Sequence, residues 1–221
     1  MSSAFVGAAF SRDQNVCTPT HSRLRSKAPM TRPHCPSIEQ CHRMMAAMEM
    51  PDHIVAHSTQ VSRVALWLCD AINGVTPRLD RDLVQAAGLL HDITKARSFA
   101  TGENHAASGE TYLAQHGFRR LGRIVAQHVE LDVFDPAGSP TEAEVVNYAD
   151  KRVLHDRIVS LDDRMAYILE RYGAADPSRR RRIMALWQET RLLEGKLFRP
   201  LACGPEDVEG LGPVERLDKS G

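Results

Sequence analysis

The feature that most constrains the fold is an apolar run, residues 83–90, that ends directly in His91 and Asp92. The spacing of its large apolar residues predicts a buried helix, with Asp80 as its cap and His91 at its C-terminal end. An imidazole and a carboxylate at a buried helix end are costly unless something pairs with them. A divalent metal ion is the natural partner for such a pair.

The chain between residues 37 and 200 reads as one helix after another, without the sustained two-residue alternation that would predict a sheet. Residues that favour helix starts recur along it at Ser37, Asp52, Asp80, Asn104, Thr141, Ser160 and Asp176. Thr141 and Glu144 have the spacing of a capping box. Residues 155–156 repeat the His-Asp dipeptide. We predict that they lie on the protein surface, in a charged continuation of the helix that begins at Thr141. We therefore predict an all-α domain over residues 37–200.

Two flanking segments differ in composition from this domain. Residues 1–36 are rich in Ser, Thr and Pro and have Asp13 as their only acid, so we predict a disordered leader. Residues 201–221 are rich in Gly, Pro and charge, and we predict a flexible tail. The full length of 221 residues suits one domain with a sizeable core.

Charge and cysteine content restrict the partners and the compartment. The chain has 28 basic and 28 acidic residues, so it has no overall attraction to nucleic acid or to an anionic membrane. The basic run at 179–182 reads as a solvated helix start, and we do not expect a nucleic-acid partner. No apolar run approaches the roughly 18 residues of a membrane-spanning helix. The five cysteines form no CxxC pair, and we predict a cytoplasmic protein.

Four further potential metal ligands flank the His-Asp pair at wide spacing: His57, His105, His128 and Asp150. His57 lies on the inward stripe of its helix, because Ile54 and Val61 are three residues before it and four after it. Asp150 falls in an apolar stripe, which is an unusual place for an unpaired acid. Taken singly, each has an ordinary alternative: a core histidine with a hydrogen bond, a surface residue in a first turn, or a solvated carboxylate.

In this order, His…His-Asp…His…His…Asp, the residues resemble the HD-domain metal-dependent phosphohydrolase superfamily. The resemblance covers about residues 50–172 and rests on four segments, 57–65, 86–95, 104–109 and 148–151. Residues 91–94 are similar to the HDIG sequence of the family, with Thr94 in place of Gly. The resemblance implies an HD-domain helical bundle.

The resemblance also implies a ligand set. One ion would be bound by four residues, His57, His91, Asp92 and Asp150. His105 and His128 would hold a second ion, with Asp92 bridging the two, although a surface role or a substrate contact is open for both histidines. Imidazole and carboxylate ligands suit Fe, Mn, Ni, Co or Zn. We therefore expect a divalent transition metal, as one or two ions.

Basic residues near these segments are the predicted substrate contacts. Asp92 and Lys95 are the predicted catalytic residues, and the resemblance places Lys95 opposite the substrate phosphate. Arg97 and Arg152 are further predicted substrate-binding residues. Lys151 is the alternative to Arg152, because neighbours on a helix point about 100° apart and cannot both face the site.

These observations predict a metal-dependent phosphohydrolase, a phosphomonoesterase or phosphodiesterase, acting on a small phosphorylated metabolite or nucleotide. A metal-activated hydroxide would replace a protein nucleophile. The cyclic-di-GMP phosphodiesterase branch fits badly, since Val129 follows His128 where that branch has a second His, and the chain is more similar to short HD hydrolases, including those that cut dinucleoside tetraphosphates. Specificity is expected from loops at 96–102 and 131–140.

Two alternatives share the same ligands: an HD-fold di-iron oxygenase, and a nucleotide-sensing HD module without turnover. The sequence does not fix the oligomeric state, and the prediction allows for a homodimer.

Overall fold

The computed structural model describes residues 35–76, 78–173 and 176–212. The predicted disordered leader lies outside these residues up to residue 34. Its last two residues, Cys35 and Pro36, are buried. The Cys35 thiol donates a hydrogen bond to the carbonyl of Asp82, 3.3 Å away. The domain therefore begins slightly earlier than residue 37.

Helices contain 69% of the described residues, and the sheet structure found among those residues is one two-stranded hairpin, which confirms the all-α prediction. They are α1 (Ile38–Ala47), α2 (Asp52–Val75), α3 (Arg81–Leu90), α4 (Lys95–Thr101), α5 (His105–Gln115), α6 (Arg119–Val125), α7 (Glu142–Lys151), α8 (Leu161–Ile168) and α9 (Pro177–Phe198). A π-helical turn, Leu169–Gly173, follows α8, and a 3-10 helix, Pro205–Leu211, follows α9. Strands β1 (Val153–Leu154) and β2 (Arg157–Ile158) form an antiparallel hairpin that pairs Val153 with Ile158.

The predicted start signals explain where most of these helices begin. Six side chains accept hydrogen bonds from backbone N–H groups in the first turn, those of Ser37, Asp80, Asn104, Thr141, Ser160 and Asp176. Ser37 and Thr141 form complete capping boxes with Gln40 and Glu144. At α2 the cap position belongs to Pro51 instead, and Asp52 is the first helical residue.

Helices α2 and α3 form the centre of the bundle, and α7 packs against both. Their close approach depends on Gly88 of α3, where a β-carbon would lie 2.6 Å from the Cα atom of Ser62 on α2. Ser62 is buried, and its hydroxyl donates a hydrogen bond to the carbonyl of Gln85. This contact holds the C-terminal end of α3 beside the first half of α2.

The structure differs from the helix continuation predicted after Asp150. Helix α7 ends at Lys151, and the next residues form the β1–β2 hairpin. Its two-residue turn contains His155, whose φ of 58° is left-handed. Histidine is among the residues that tolerate this conformation, and Val153 is fully buried in β1. The sequence did not predict this hairpin, because the charged residues of the segment are also typical of an exposed helix.

Two segments predicted as loop or tail are also more ordered than expected. Residues 95–101 form α4, which covers most of the predicted loop at 96–102. The 3-10 helix at 205–211 buries Val208 completely, and Arg63 of α2 donates to the Leu211 carbonyl at 2.9 Å. Part of the predicted tail, up to residue 212, therefore packs against the helical domain, and residues 213–221 lie outside the described residues.

Within the described ranges, the structure contains no helix that combines the length and the apolar character needed to cross a bilayer.

We predict that Gly88→Ala lowers the free energy of unfolding by about 1–3 kcal/mol, because the added methyl group meets the backbone of α2. Urea denaturation followed by circular dichroism measures the change. Gly195→Ala is the matched control, because Gly195 lies in α9 with open space around its Cα, and there we expect a gain of up to about 1 kcal/mol. Equal stability of Gly88→Ala and the wild type would contradict the close-packing explanation.

Candidate metal centre

Helix ends bring the six predicted ligands together. His57 lies on α2, His91 is the C-cap of α3, and Asp92 follows it. His105 is the first residue of α5, and His128 comes shortly after α6. Asp150 is the penultimate residue of α7. Because these elements converge at one end of the bundle, residues up to 93 positions apart in sequence come into contact.

His57, His91 and Asp92 form the first of two groups that could hold a metal ion, with ligand atoms within 4.8 Å of one another. Asp92 Oδ2 lies 3.3 Å from His91 Nε2 and 4.0 Å from His57 Nε2. Asp150 approaches the same imidazoles, with its Oδ1 3.0 Å from His57 Nε2 and 3.7 Å from His91 Nε2. The four residues predicted for one ion therefore lie together.

Asp92, His105 and His128 form the second group. Asp92 Oδ1 lies 3.4 Å from His105 Nε2 and 3.5 Å from His128 Nε2. The two imidazole nitrogens are 3.0 Å apart. One oxygen of Asp92 thus faces each group, which is the position that a bridging carboxylate would take.

Backbone carbonyls orient three of the four imidazoles. The Nδ1–H groups of His57, His91 and His128 donate to the carbonyls of His155, Gly88 and Val125, at 2.8, 2.8 and 2.7 Å. A carbonyl oxygen only accepts, so Nδ1 carries a proton, and Nε2 is the ring nitrogen that faces the cluster. Hydrogen bonding of the second ring nitrogen in this way is typical of metal-bound histidine.

The centre of the cluster contains polar atoms that lack partners. Among the described residues, His91 Nε2 and Asp92 Oδ1 are buried without a hydrogen-bond partner. Buried polar atoms of this kind are costly. Ligands that bind one ion at about 2.0–2.2 Å lie roughly 3 Å or slightly more from each other, close to the spacings observed. The residues therefore fit a divalent transition metal.

The two carboxylates are held in the ionised form that a metal requires. Burial alone would raise the pKa of Asp92, but the charge of His91 and the adjacent imidazoles of His105 and His128 outweigh it and keep that pKa well below its usual range. For Asp150, burial is likewise outweighed, chiefly by the hydrogen bond from His57, and its pKa is also well below the usual range.

Two lysines lie beside the cluster. Lys95 Nζ donates to Asp92 Oδ2 at 2.7 Å. Burial alone would lower the pKa of Lys95, but the carboxylates of Asp92 and Asp150 raise it, so this lysine stays charged. Lys151 Nζ instead donates to neutral groups, the carbonyls of His128 and Val129 and the Asn147 side chain, and burial lowers its pKa to about 8.

A cavity of about 460 Å³ opens beside the cluster. Five of the six predicted ligands, all except His91, line one part of it together with Lys95 and Lys151. Another part of its wall comes from α8, the π-helical turn and α9, and contains Tyr167, Ile168, Tyr172, Ile183, Leu186 and Trp187. Arg164 of α8 also lines the cavity. The site is thus half ionic and half apolar.

The structure places two predicted substrate-binding residues away from this cavity wall. Arg97 Nε donates to Glu103 Oε1 at 2.6 Å on the surface. Arg152 is buried, is not among the described residues that line the cavity, and donates to the carbonyls of Val159 and Pro205. Of the two residues after Asp150, Lys151 is the one that lines the cavity.

Sequence reasoning missed the contributions of Arg164 and Trp187 to the cavity, and the role of His155. An apolar stripe looks the same whether it faces a core or a cavity, so the apolar wall gave no distinct signal. His155, predicted as plain surface, supports His57 through its backbone carbonyl. No side-chain pattern can reveal a contact of that kind.

We predict that Arg152→Met lowers the free energy of unfolding by roughly 3–5 kcal/mol, because several buried hydrogen bonds lose their charged donor. Urea denaturation measures this, with Arg123→Met on the exposed face of α6 as the control. Unchanged stability combined with weaker substrate binding would instead support the substrate role predicted from sequence.

We also predict that Asp92→Asn weakens metal binding by more than about 100-fold, because both groups lose their shared anionic ligand. Metal content after dialysis, measured by mass spectrometry, tests this. His42→Ala, on the exposed side of α1, is the control and should retain the wild-type metal content. A folded Asp92→Asn protein with full metal content would refute the assignment.

Comparison with known proteins agrees with this geometry. Residues 54–154 match the sequence model of a family described as "HD domain". A tRNA (cytidine(56)-2'-O)-methyltransferase of Picrophilus torridus is 30% identical over 145 residues, which cover 60% of this chain and 40% of that protein. An uncharacterized protein of Methanocaldococcus jannaschii is 29% identical over 146 residues, which cover 60% of this chain and 85% of that protein.

No solved structure matches the chain. HD domains bind divalent metal ions, and both groups of His and Asp residues described above fall within or at the edge of the matched segment. The family match, the helical fold and the ligand order agree, and residues 54–154 of the chain form an HD domain.

Proposed function

We propose that the protein is a metal-dependent phosphohydrolase that acts on a small phosphorylated metabolite or nucleotide. The observation that carries the proposal is the set of imidazoles whose Nδ1 atoms are bonded to backbone carbonyls and whose Nε2 atoms converge on Asp92. Such pre-oriented ligands beside an open cavity are typical of a catalytic metal site rather than of a closed structural one.

The charges around the cavity support an anionic substrate. Among the described residues that line it, the acidic ones are Asp92 and Asp150, and both lie with the metal-binding groups. The cationic ones are Lys95, Lys151 and Arg164. With those carboxylates committed to metal, the remaining ionic wall is positive, which suits a phosphate group.

His57, His91, Asp92 and Asp150 would hold one ion, and His105 and His128 would hold a second with Asp92 between them. When bound, such ions supply Lewis acidity toward a phosphoryl oxygen and toward water. Lys95 carries a protonated Nζ at the edge of the cluster and is placed to neutralise charge on the transferring phosphoryl group. The Thr190 hydroxyl, which also lines the cavity, donates to the Leu186 carbonyl instead.

The proposal does not include the activity in the name of the Picrophilus torridus relative. That name describes a whole protein, of which this chain aligns with 40%. The cytoplasmic location and a homodimer stay predictions.

We predict that Lys95→Ala lowers kcat/KM by about 100-fold, because the transition state loses a positioned cation. The assay measures phosphate or nucleotide release from phosphomonoesters, nucleotides and dinucleoside polyphosphates by protein loaded with Mn, Fe, Ni or Co. Arg123→Ala on α6 is the control and should match the wild type, whereas Asp92→Asn should be inactive. Failure of the wild type to release product with every metal and substrate would refute the proposal.

A further inference from the structure

The wall formed by α8, the π-helical turn and α9 lies outside residues 54–154, the segment that matches the HD-domain family. Arg164, Tyr167 and Ile168 follow helical spacing on α8, and Ile183, Leu186, Trp187 and Thr190 do so on α9. Each helix therefore presents one continuous stripe to the cavity. This wall is a property of this chain rather than of the matched segment.

Most side chains of these stripes are apolar or aromatic. Trp187 is 7% exposed and still borders the cavity, and Tyr167 packs edge-on against the His155 ring with centroids 5.6 Å apart. Tyr172, which lies in the π-helical turn, is 48% exposed and extends the wall outward. A phosphate alone would leave this apolar surface uncovered, whereas a substrate with a ring-sized apolar face would cover it.

Arg164 is the polar exception in the wall. Its Nε is buried and has no hydrogen-bond partner among the described residues, and the structure shows no ion pair of its guanidinium with the described carboxylates. Its charge is nevertheless close enough to Asp150 and Lys95 to act on both electrostatically. An unpaired guanidinium beside the metal-binding groups is suited to donate two parallel N–H hydrogen bonds to the oxygens of an anionic group.

We propose that this wall is a two-part substrate subsite: Arg164 binds a phosphate oxygen of the substrate, and the stripe around Trp187 binds an apolar or aromatic face of its organic group. The inference rests on the proposed function for the position of the phosphate at the metal-binding groups. It deepens that function by selecting, among phosphorylated compounds, those with a ring-sized apolar part.

Two phosphonates test the proposal without turnover, because their P–C bond is not a substrate for phosphate ester hydrolysis. Phenylphosphonate and methylphosphonate differ only in the aromatic ring, and isothermal titration calorimetry with Mn²⁺-loaded protein gives the affinity of each. We expect phenylphosphonate to bind the wild type at least about tenfold more tightly. Equal affinities for the two compounds would overturn the apolar part of the subsite.

Variants separate the two parts. Trp187→Ala and Ile183→Ala should bring the affinity ratio close to one, and the second variant guards against loss of folding in the first. Leu192→Ala is the matched control, because Leu192 lies on α9, is 59% exposed and is not among the cavity-lining residues described. A Leu192→Ala protein that loses the ratio, or a folded Ile183→Ala protein that keeps it, would contradict the proposal.

Arg164→Gln should weaken the binding of both phosphonates by a similar factor, about tenfold, and leave the ratio of their affinities unchanged. Arg164→Lys should restore part of the lost affinity. Unchanged affinities in Arg164→Gln would remove this residue from the subsite. The binding measurements test the subsite, and the turnover assay tests the proposed function, so either proposal can be refuted without the other. Ring-dependent binding without hydrolysis of any substrate would refute the proposed function alone, and hydrolysis with ring-independent binding would refute the subsite alone.

Discussion

The structure is organised around a single buried carboxylate. Asp92 is 1% exposed, and each of its oxygens faces a different set of imidazoles. A charge at such depth is tolerated only with close partners, and those partners come from α2, α3, α5 and the segment after α6. The contacts that stabilise the charge of Asp92 are therefore also contacts between these helices, so the cluster and the helix packing depend on each other.

Helix starts and ligand order could be read from the sequence because both depend on local features. A cap such as Asn104 needs only the next turn of backbone, and the His-Asp pair follows an apolar run whose period is plain. The choice between Lys151 and Arg152 could not be made in this way. It depends on acceptors that are supplied by distant residues, including the carbonyl of Pro205 and the Glu209 side chain.

The site combines parts of two origins. The segment that matches the HD-domain family supplies the ionic half, where similar chemistry demands similar residues. Helices α8 and α9 supply most of the apolar half, from a part of the chain that the match does not cover. Apolar stripes place few constraints on residue identity, so they can change with the ligand while the ligand-binding imidazoles stay fixed. The family match therefore concerns the ionic half of the cavity, whereas most of the apolar half lies outside the matched residues.

The hydrogen bond from His57 to the His155 carbonyl is the first of a series that connects the metal-binding cluster to the 3-10 helix at Pro205–Leu211. His155 lies in the turn of a hairpin followed by Val159, whose carbonyl accepts from Arg152, and Arg152 also holds the 3-10 helix through Pro205. A protein truncated after α9 would keep the side chains of all six predicted metal ligands. It would lose the 3-10 helix, which is the last element in this series of hydrogen bonds. The hydrogen bonds that support the His57 imidazole on α2 therefore extend beyond residues 54–154, the segment that matches the family.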